Sequence, residues 1–189
     1  MEEIKELKKE KFFRRFLSEI YEIAKFVAIS LLIVVPIRMW VAQPFIVSGA
    51  SMEPNFYNGD YLIIDEVSYN IKNPQREEVV VLKLPGNSSF FIKRIIGLPG
   101  ERIEIKENKI YIFNKENPEG FSLEENYLQG EPNYFDMSFA LTDNEYFVMG
   151  DNRSQSLDSR RWGSISKDNI VGKALLRLWP LNSLGFIIK

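Results

Sequence analysis

Ser51 is the side chain of this sequence that is best suited to nucleophilic chemistry. It lies in the segment 49–54, GASMEP, whose small residues and proline predict a turn directly after the only long apolar stretch. The sequence contains no histidine and no cysteine. A Ser-His-Asp triad, a thiol nucleophile and zinc sites built from these residue types are therefore excluded. If Ser51 is activated, another base must remove its proton, and lysine is the usual substitute.

Lys93 is the candidate for that base. It lies in a predicted strand at 89–96, SFFIKRII, whose alternation puts it on one face between Phe91 and Ile95. Burial between two large apolar side chains would lower the pKa of the amine, and a neutral amine near pH 7 can act as a general base. On alternation alone the favoured interpretation is an ordinary lysine with its head in water, because most lysines are solvated.

The part of the chain that carries these two side chains is predicted to be mainly β. Short apolar segments alternate with Gly and Pro turns, which predicts an antiparallel β-sheet or barrel-like domain over residues 43–189. The predicted strands are residues 61–67, 77–84, 89–96, 102–105, 109–113, 145–149 and 171–179, the last two as closing strands. Glu107 and Asn108 predict a hairpin turn, and residues 106–143 are predicted to hold a small cap with little core over 114–136.

The N-terminal part is predicted to anchor the chain in a membrane by a single transmembrane helix. The apolar segment 24–42, with Arg38 extending outward, approaches the ~20 residues that span a bilayer. Lysine and arginine are concentrated before it, which predicts a cytoplasmic N-terminus and an extracytoplasmic remainder. Residues 1–23 are predicted to form an amphipathic helix on the cytoplasmic surface. A cleaved secretion signal and a buried helix of a soluble protein are the alternatives, disfavoured by the missing A-x-A site and the one-sided charge.

Charge and composition disfavour several classes of partner. The 189 residues carry 24 Lys and Arg against 26 Asp and Glu, a net charge of −2, which gives no indication of nucleic-acid binding. No spacing of Asp and Glu matches a known metal-binding loop. We therefore predict no nucleic-acid partner, no metal and no cofactor.

Four motifs, in order along the chain, resemble one family. They are residues 49–54, GASMEP; residues 59–63, GDYLI; residues 91–101, FIKRIIGLPGE; and residues 146–160, YFVMGDNRSQSLDSR. Together they resemble the bacterial type I signal peptidases, or leader peptidases, which are serine-lysine membrane proteases. The resemblance extends from about residue 34 to residue 179, and the last two motifs are its most specific parts.

The resemblance implies roles for individual side chains. Ser51 matches the nucleophile, Lys93 the general base, and Ser156 the serine that hydrogen-bonds to the lysine and orients it. Four charged residues match ion-pairing positions that support the site: Arg94, Asp151, Asp158 and Arg160. Five residues match positions near the substrate pockets, although each also fits simple core packing: Phe45, Val47, Phe91, Ile92 and Met149.

The donors that would stabilise an oxyanion are the least defined part of the resemblance. Some family members carry a serine two residues before the nucleophile, whose hydroxyl helps to form the oxyanion hole, whereas this sequence has Gly49 there. The backbone N–H of Ser51, together with the Gly49 backbone, is therefore the predicted oxyanion site.

The implied activity is the removal of N-terminal signal peptides from exported preproteins by a membrane-bound serine endopeptidase of the plasma membrane. Its partners would be those preproteins and the lipid bilayer. Two alternatives stay open. One is a self-cleaving serine-lysine protease of the SOS-repressor type, which carries its own scissile bond and lacks an anchor. The other is a non-enzymatic, membrane-anchored β-domain that binds partners outside the membrane.

Overall fold

The structure, a computed structural model, describes residues 2–40, 42–130 and 134–187. The chain divides into two units, Met1–Val41 and Ala42–Lys189. The first unit is helical and the second contains the strands.

The first unit is one long helix, α1 (Glu2–Trp40). Large apolar side chains are exposed along it, including Phe26 at 73% and Leu32 at 76%. Within the residues that the structure describes, no helix is both long and apolar enough to cross a bilayer, so the predicted transmembrane helix at 24–42 is not confirmed. The last residue of that segment, Ala42, begins strand β1 (Ala42–Ile46) instead.

The second unit is mainly antiparallel β-structure, as predicted. Its further strands are β2 (Tyr61–Asp65), β3 (Val79–Lys83), β4 (Phe90–Gly97), β5 (Arg102–Lys106), β6 (Lys109–Phe113), β7 (Phe121–Ser122), β8 (Met137–Ala140), β9 (Glu145–Met149), β10 (Ile165–Ser166), β11 (Ile170–Trp179) and β12 (Gly185–Phe186). The short helices are α2 (Ser68–Ile71) and α3 (Ser159–Trp162), with 3-10 turns at Lys167–Asn169 and Leu181–Ser183. The strands predicted between residues 61 and 149 are confirmed to within two residues at each end.

The larger sheet has the strand order β1-β2-β11-β3-β4-β9-β10, with β12 paired to β11. Strand β11 lies between β2 and β3, and β9 lies between β4 and β10, so the prediction that the segments 145–149 and 171–179 close the sheet is wrong. Residues 170–173 of β11 pair with β3, and residues 173–179 pair with β2. Strand β1 has no counterpart among the predicted strands, because Gln43 and Pro44 interrupt the apolar alternation. Among the described strands it pairs with β2 alone, and proline is tolerated in such an edge strand.

The smaller sheet has the strand order β7-β6-β5-β8. Strands β5 and β6 form the predicted hairpin, with Glu107 and Asn108 at φ angles of 52° and 60° in the left-handed region. The segment 114–136 is predicted to contribute little core, but it contributes Tyr134. This side chain is 9% exposed and packs in the apolar cluster of this sheet.

Strand β3 belongs to two apolar cores at once. Val79 and Val81 pack in the cluster that contains Met52 of the Ser51 turn. Val80 and Leu82 pack on the other side with residues of β4 and β9. A strand that is buried on both faces has a continuous apolar sequence, which accounts for VVVL at 79–82. Because both faces of β3 are packed, its position is fixed, and its pairing with β4 fixes the position of that strand.

Candidate active site

The turn that carries Ser51 is fixed at its base by backbone hydrogen bonds. The chain leaves the sheet at Val47, whose N–H donates to the Asp60 carbonyl and whose carbonyl accepts from the Gly59 N–H, both at 2.9 Å. Inside the turn, Met52 and Phe56 are 1% and 3% exposed. The turn is therefore anchored from below by apolar packing, and Ser51 stands at its start, directly before Met52.

Lys93 directly contacts Ser51. The Lys93 Nζ lies 2.8 Å from Ser51 Oγ and donates to the Ile92 carbonyl at 2.8 Å. Lys93 is opposite Val80 in the β3–β4 ladder and only 3% exposed. Burial lowers its pKa from 10.5 to about 8, against the opposing effect of the nearby carboxylates. The site thus joins a serine hydroxyl to an amine that is readily deprotonated.

The loop 150–152 holds the Ser51 peptide from another side. The Asn152 N–H donates to the Ser51 carbonyl at 3.0 Å. Gly150 has no room for a side chain, because a Cβ there would overlap Ser156 Oγ and the Ser51 carbonyl oxygen. Glycine at this position therefore serves the close approach of two backbone segments.

Asp158 is fully buried and fixes that loop at Gly150. Its Oδ2 accepts from the Gly150 N–H at 3.0 Å, and Arg160 donates two side-chain hydrogen bonds of 2.8 Å to the carboxylate. Burial acts to raise the pKa of Asp158, but hydrogen bonds and the Arg160 charge outweigh it and lower the pKa. A negative charge is thereby kept close to Lys93, whose pKa it raises.

Arg94 and Asp151 form a second buried ion pair. Two nitrogens of Arg94 donate to the two carboxylate oxygens at 2.8 and 2.6 Å, which is bidentate geometry. The guanidinium also lies over the Tyr127 ring at 4.2 Å from its centroid. Since Arg94 directly follows Lys93, this pair fixes the part of β4 that carries the amine.

Ser156 lies against Gly150 and its Oγ is buried. Its hydroxyl interacts with the Asp158 carboxylate and helps to lower the pKa of that group. The hydrogen bonds of Lys93 join it to Ser51 and Ile92. The lysine-orienting role of Ser156 therefore stays a prediction.

The Gly49 N–H already has an acceptor. It donates to Asn58 Oδ1 at 3.0 Å, so the predicted use of this donor for an oxyanion does not fit the conformation described. The Ser51 N–H, by contrast, has no acceptor in the described part of the chain. Of the two predicted donors, only that of Ser51 is available.

An apolar cavity of about 90 Å³ opens beside Ser51 and Lys93. Four of the predicted pocket residues line it: Phe45, Val47, Phe91 and Ile92. Met149 does not line the cavity, because it is fully buried in the apolar cluster of the smaller sheet.

Several lining residues were not predicted: Leu62, Val81 and Phe90. Leu62 and Val81 lie in strands that the sequence does indicate, but their proximity to Ser51 depends on strand order. That order follows from pairings between distant segments, which the alternation pattern does not reveal.

Arg153 is a further buried residue to which the sequence assigned no role. It is 8% exposed, donates to the Gly150 carbonyl at 3.0 Å and pairs with Glu125 at 2.5 Å. It also donates to the Tyr134 hydroxyl. The motif at 150–153 contains this arginine and Gly150, but its partners Glu125 and Tyr134 lie in an irregular segment without any sequence signal.

The site has the chemistry of a serine hydrolase that uses lysine in place of histidine. A serine hydroxyl in contact with a buried amine can be deprotonated and attack an acyl carbon. Among the described residues, no group of three or more acidic side chains could hold a metal ion. A serine hydroxyl in contact with a buried amine, on a β-rich domain, is the arrangement that a serine-lysine hydrolase requires.

Comparison with known proteins identifies the family. The model for signal peptidase, peptidase S26, matches residues 20–179. The chain therefore belongs to the signal peptidase family, peptidase S26. This membership favours the signal peptidase interpretation over the self-cleaving repressor type and the non-enzymatic domain.

Two relatives agree with this family by sequence. The chain is 34% identical over 172 residues to the probable signal peptidase I-2 of Synechocystis sp., covering 88% of this chain and 76% of the relative. It is 31% identical over 177 residues to the signal peptidase IB of Staphylococcus aureus, covering 87% and 92%. A crystal structure of a signal peptidase I from Enterococcus faecalis aligns with a TM-score of 0.46 and 32% identity, covering 55% of this chain and 97% of that one.

Proposed function

We propose that this chain removes N-terminal signal peptides from exported preproteins, with Ser51 as the nucleophile and Lys93 as the general base. The observation that carries the proposal is the 2.8 Å separation between Lys93 Nζ and Ser51 Oγ, with the amine almost completely buried. Membership of the signal peptidase family and the names of the relatives support the substrate class.

The chemistry begins with the neutral form of Lys93. With a pKa of about 8, about one tenth of the amine is neutral at pH 7. The neutral amine accepts the Ser51 proton while Oγ attacks the peptide carbonyl. The resulting ammonium then gives that proton to the leaving amine, so an acyl-enzyme forms and the new N-terminus departs. Water, deprotonated in turn by Lys93, releases the signal peptide and restores Ser51.

Three further groups have supporting roles in this proposal. The Ser51 N–H stabilises the oxyanion, since it is the predicted donor that is still available. The two buried ion pairs, Arg94–Asp151 and Asp158–Arg160, hold β4 and the loop 150–152 without taking part in the chemistry. Ser156 supplies a hydroxyl that orients the amine during turnover.

The substrate binds as an extended strand with small side chains in the apolar cavity. The small volume of this cavity, about 90 Å³, favours small side chains, in keeping with the A-x-A pattern before signal-peptide cleavage sites. Residues 90–93 of β4 pair with β3 on one side, whereas pairing with β9 begins only at Arg94. Among the described strands this leaves an open edge beside Lys93 that can receive a peptide strand.

We also propose that the chain is a single-pass protein of the plasma membrane with a cytoplasmic N-terminus and residues 43–189 outside. The basic residues before the apolar segment and the exposed apolar side chains of α1 support this placement. Because the sequence contains no cysteine, single-cysteine variants can test it. An impermeant thiol reagent added outside intact cells should label Ser89→Cys and leave Arg15→Cys unlabelled, and the reverse pattern would contradict the topology.

The activity itself is tested with the full chain in detergent and one purified preprotein. Wild type should cut once, after an A-x-A segment, as mapped by mass spectrometry. Ser51→Ala and Lys93→Ala should both abolish the cut, whereas Ser89→Ala, an exposed serine, should leave it unchanged. Continued cleavage by Ser51→Ala would exclude the proposed mechanism.

A further inference from the structure

Asp151 contacts both the turn that carries Ser51 and the strand β4 that carries Lys93. Its side chain is fully buried and receives the bidentate pair from Arg94, the residue after Lys93. Its Oδ2 also accepts a hydrogen bond of 2.8 Å from Asn55 Nδ2. Asn55 belongs to the Ser51 turn, so one carboxylate binds both sides of the site.

Asn55 is itself held from three directions. Its Nδ2 donates to the Tyr127 carbonyl at 2.8 Å as well as to Asp151. Its own carbonyl accepts from Arg177, whose guanidinium stacks at 4.7 Å over the ring of Phe56. The side chain is half-buried, so its hydrogen bonds are partly shielded from competition with water.

The loop 150–152 therefore forms hydrogen bonds with the turn at two points. The Asn152 N–H binds the Ser51 carbonyl at 3.0 Å, and the neighbouring residue Asp151 binds Asn55 four residues further along the turn. The turn is already anchored at its base by the backbone hydrogen bonds of Val47 and by the packing of Met52 and Phe56. The contact of Asn55 with Asp151 also links the turn to Arg94 of β4, which limits movement of Ser51 Oγ away from Lys93.

We infer that Asn55 is a positioning residue for catalysis, which acts through Asp151 to hold Ser51 Oγ within hydrogen-bond distance of Lys93. The inference rests on the proposed function and adds a residue that touches neither substrate nor the reacting atoms. Loss of its amide should lower kcat, since a small displacement of a reacting group can reduce the rate by as much as about 100-fold. It should leave KM nearly unchanged, because Asn55 does not line the cavity beside Ser51.

The test compares Asn55→Ala with Asn114→Ala in the full chain in detergent, with a purified preprotein as substrate. Asn114 is a matched control: its Nδ2 donates at 3.1 Å to Glu101, a buried carboxylate that also pairs with an arginine, in the smaller-sheet region. We expect kcat to fall about 10- to 100-fold in Asn55→Ala, with KM within about twofold of the wild-type value. The rise of the rate on the acid side of the pH–rate profile should occur at the same pH as in wild type. Asn114→Ala should keep wild-type kcat.

Equal kcat in the two variants would overturn the inference, as would a rise in KM at constant kcat. If Asn55→Ala does not fold, Asn55→Ser replaces it, because its hydroxyl is too short to reach both acceptors. The same fall in kcat is then expected, and wild-type kcat in that variant overturns the inference. Failure of the proposed function is separately visible, since wild type would then not cut the preprotein or Ser51→Ala would still cut it.

Discussion

Replacing Lys93 with methionine should make the folded protein more stable at neutral pH while abolishing activity. The amine is 3% exposed, and burial lowers its pKa from 10.5 to about 8. Below pH 8 both the folded and the unfolded chain carry a protonated Lys93, and the folded chain bears the full cost of burying it. That difference in pKa corresponds to about 3 kcal/mol at pH 7. Methionine has a similar length and no charge, so the variant avoids this cost.

The cost should fall as pH rises. Between pH 8 and pH 10.5 the folded chain has released the proton while the unfolded chain still binds it, so the unfolded state holds more protons and stability increases with pH. At pH 10 the remaining cost is about 1 kcal/mol. The advantage of Lys93→Met over wild type should therefore shrink by about 2 kcal/mol between pH 7 and pH 10.

Urea unfolding of the full chain in detergent, followed by circular dichroism at both pH values, measures this difference. Other titrating groups are common to both proteins and cancel. The matched control is Lys106→Met, because Lys106 is exposed at the end of β5 and its charge is in water in both states. A difference between wild type and Lys93→Met that is the same at pH 7 and pH 10 would refute the claim that Lys93 is buried with a lowered pKa.

Three further predictions concern the groups around the amine. The cleavage rate should rise with pH through about 8, the pKa of Lys93. Because the Asp158 carboxylate raises that pKa, Asp158→Asn should move the rise to lower pH, and pH–rate profiles of the two proteins measure the shift. Arg94→Met should reduce the free energy of unfolding by about 3–5 kcal/mol in urea titrations, since it leaves Asp151 buried without its ion-pair partner. Gly150→Ala should lower both kcat and the unfolding free energy, the latter by about 1–3 kcal/mol, because its Cβ overlaps two neighbouring groups.

Controls sharpen these three tests. Arg15→Met removes an ion pair whose side chains are 81% and 62% exposed, and should change stability by less than about 1 kcal/mol. Gly185→Ala adds a Cβ where no atom lies within 4 Å, and should be silent. The geometry described for the site would be contradicted if Asp158→Asn moved the rise in cleavage rate to higher pH. It would also be contradicted if Arg94→Met or Gly150→Ala had the same unfolding free energy as its control.

Composition and local patterning predicted most of the strands and restricted the choice of base for Ser51. The lack of histidine and cysteine excluded an imidazole base and a thiol nucleophile, and Lys93 was indicated as the base by the resemblance of its motif to a known family. The alternation in β2 to β6 and the pair Glu107-Asn108 were sufficient to predict those strands and their hairpin, since both signals are local.

The contacts between those residues depend on the packing of distant segments. The contact between Ser51 and Lys93 joins residues 42 positions apart, and that between Asn55 and Asp151 joins residues 96 positions apart. Such contacts depend on strand order, which also places β11 in the middle of its sheet and Met149 in a core rather than in the cavity. The engagement of the Gly49 N–H by Asn58 likewise depends on the conformation of the turn. The pattern of residue types fixes which groups are available, but only the packing of distant segments brings a particular amine to a particular hydroxyl and removes it from water.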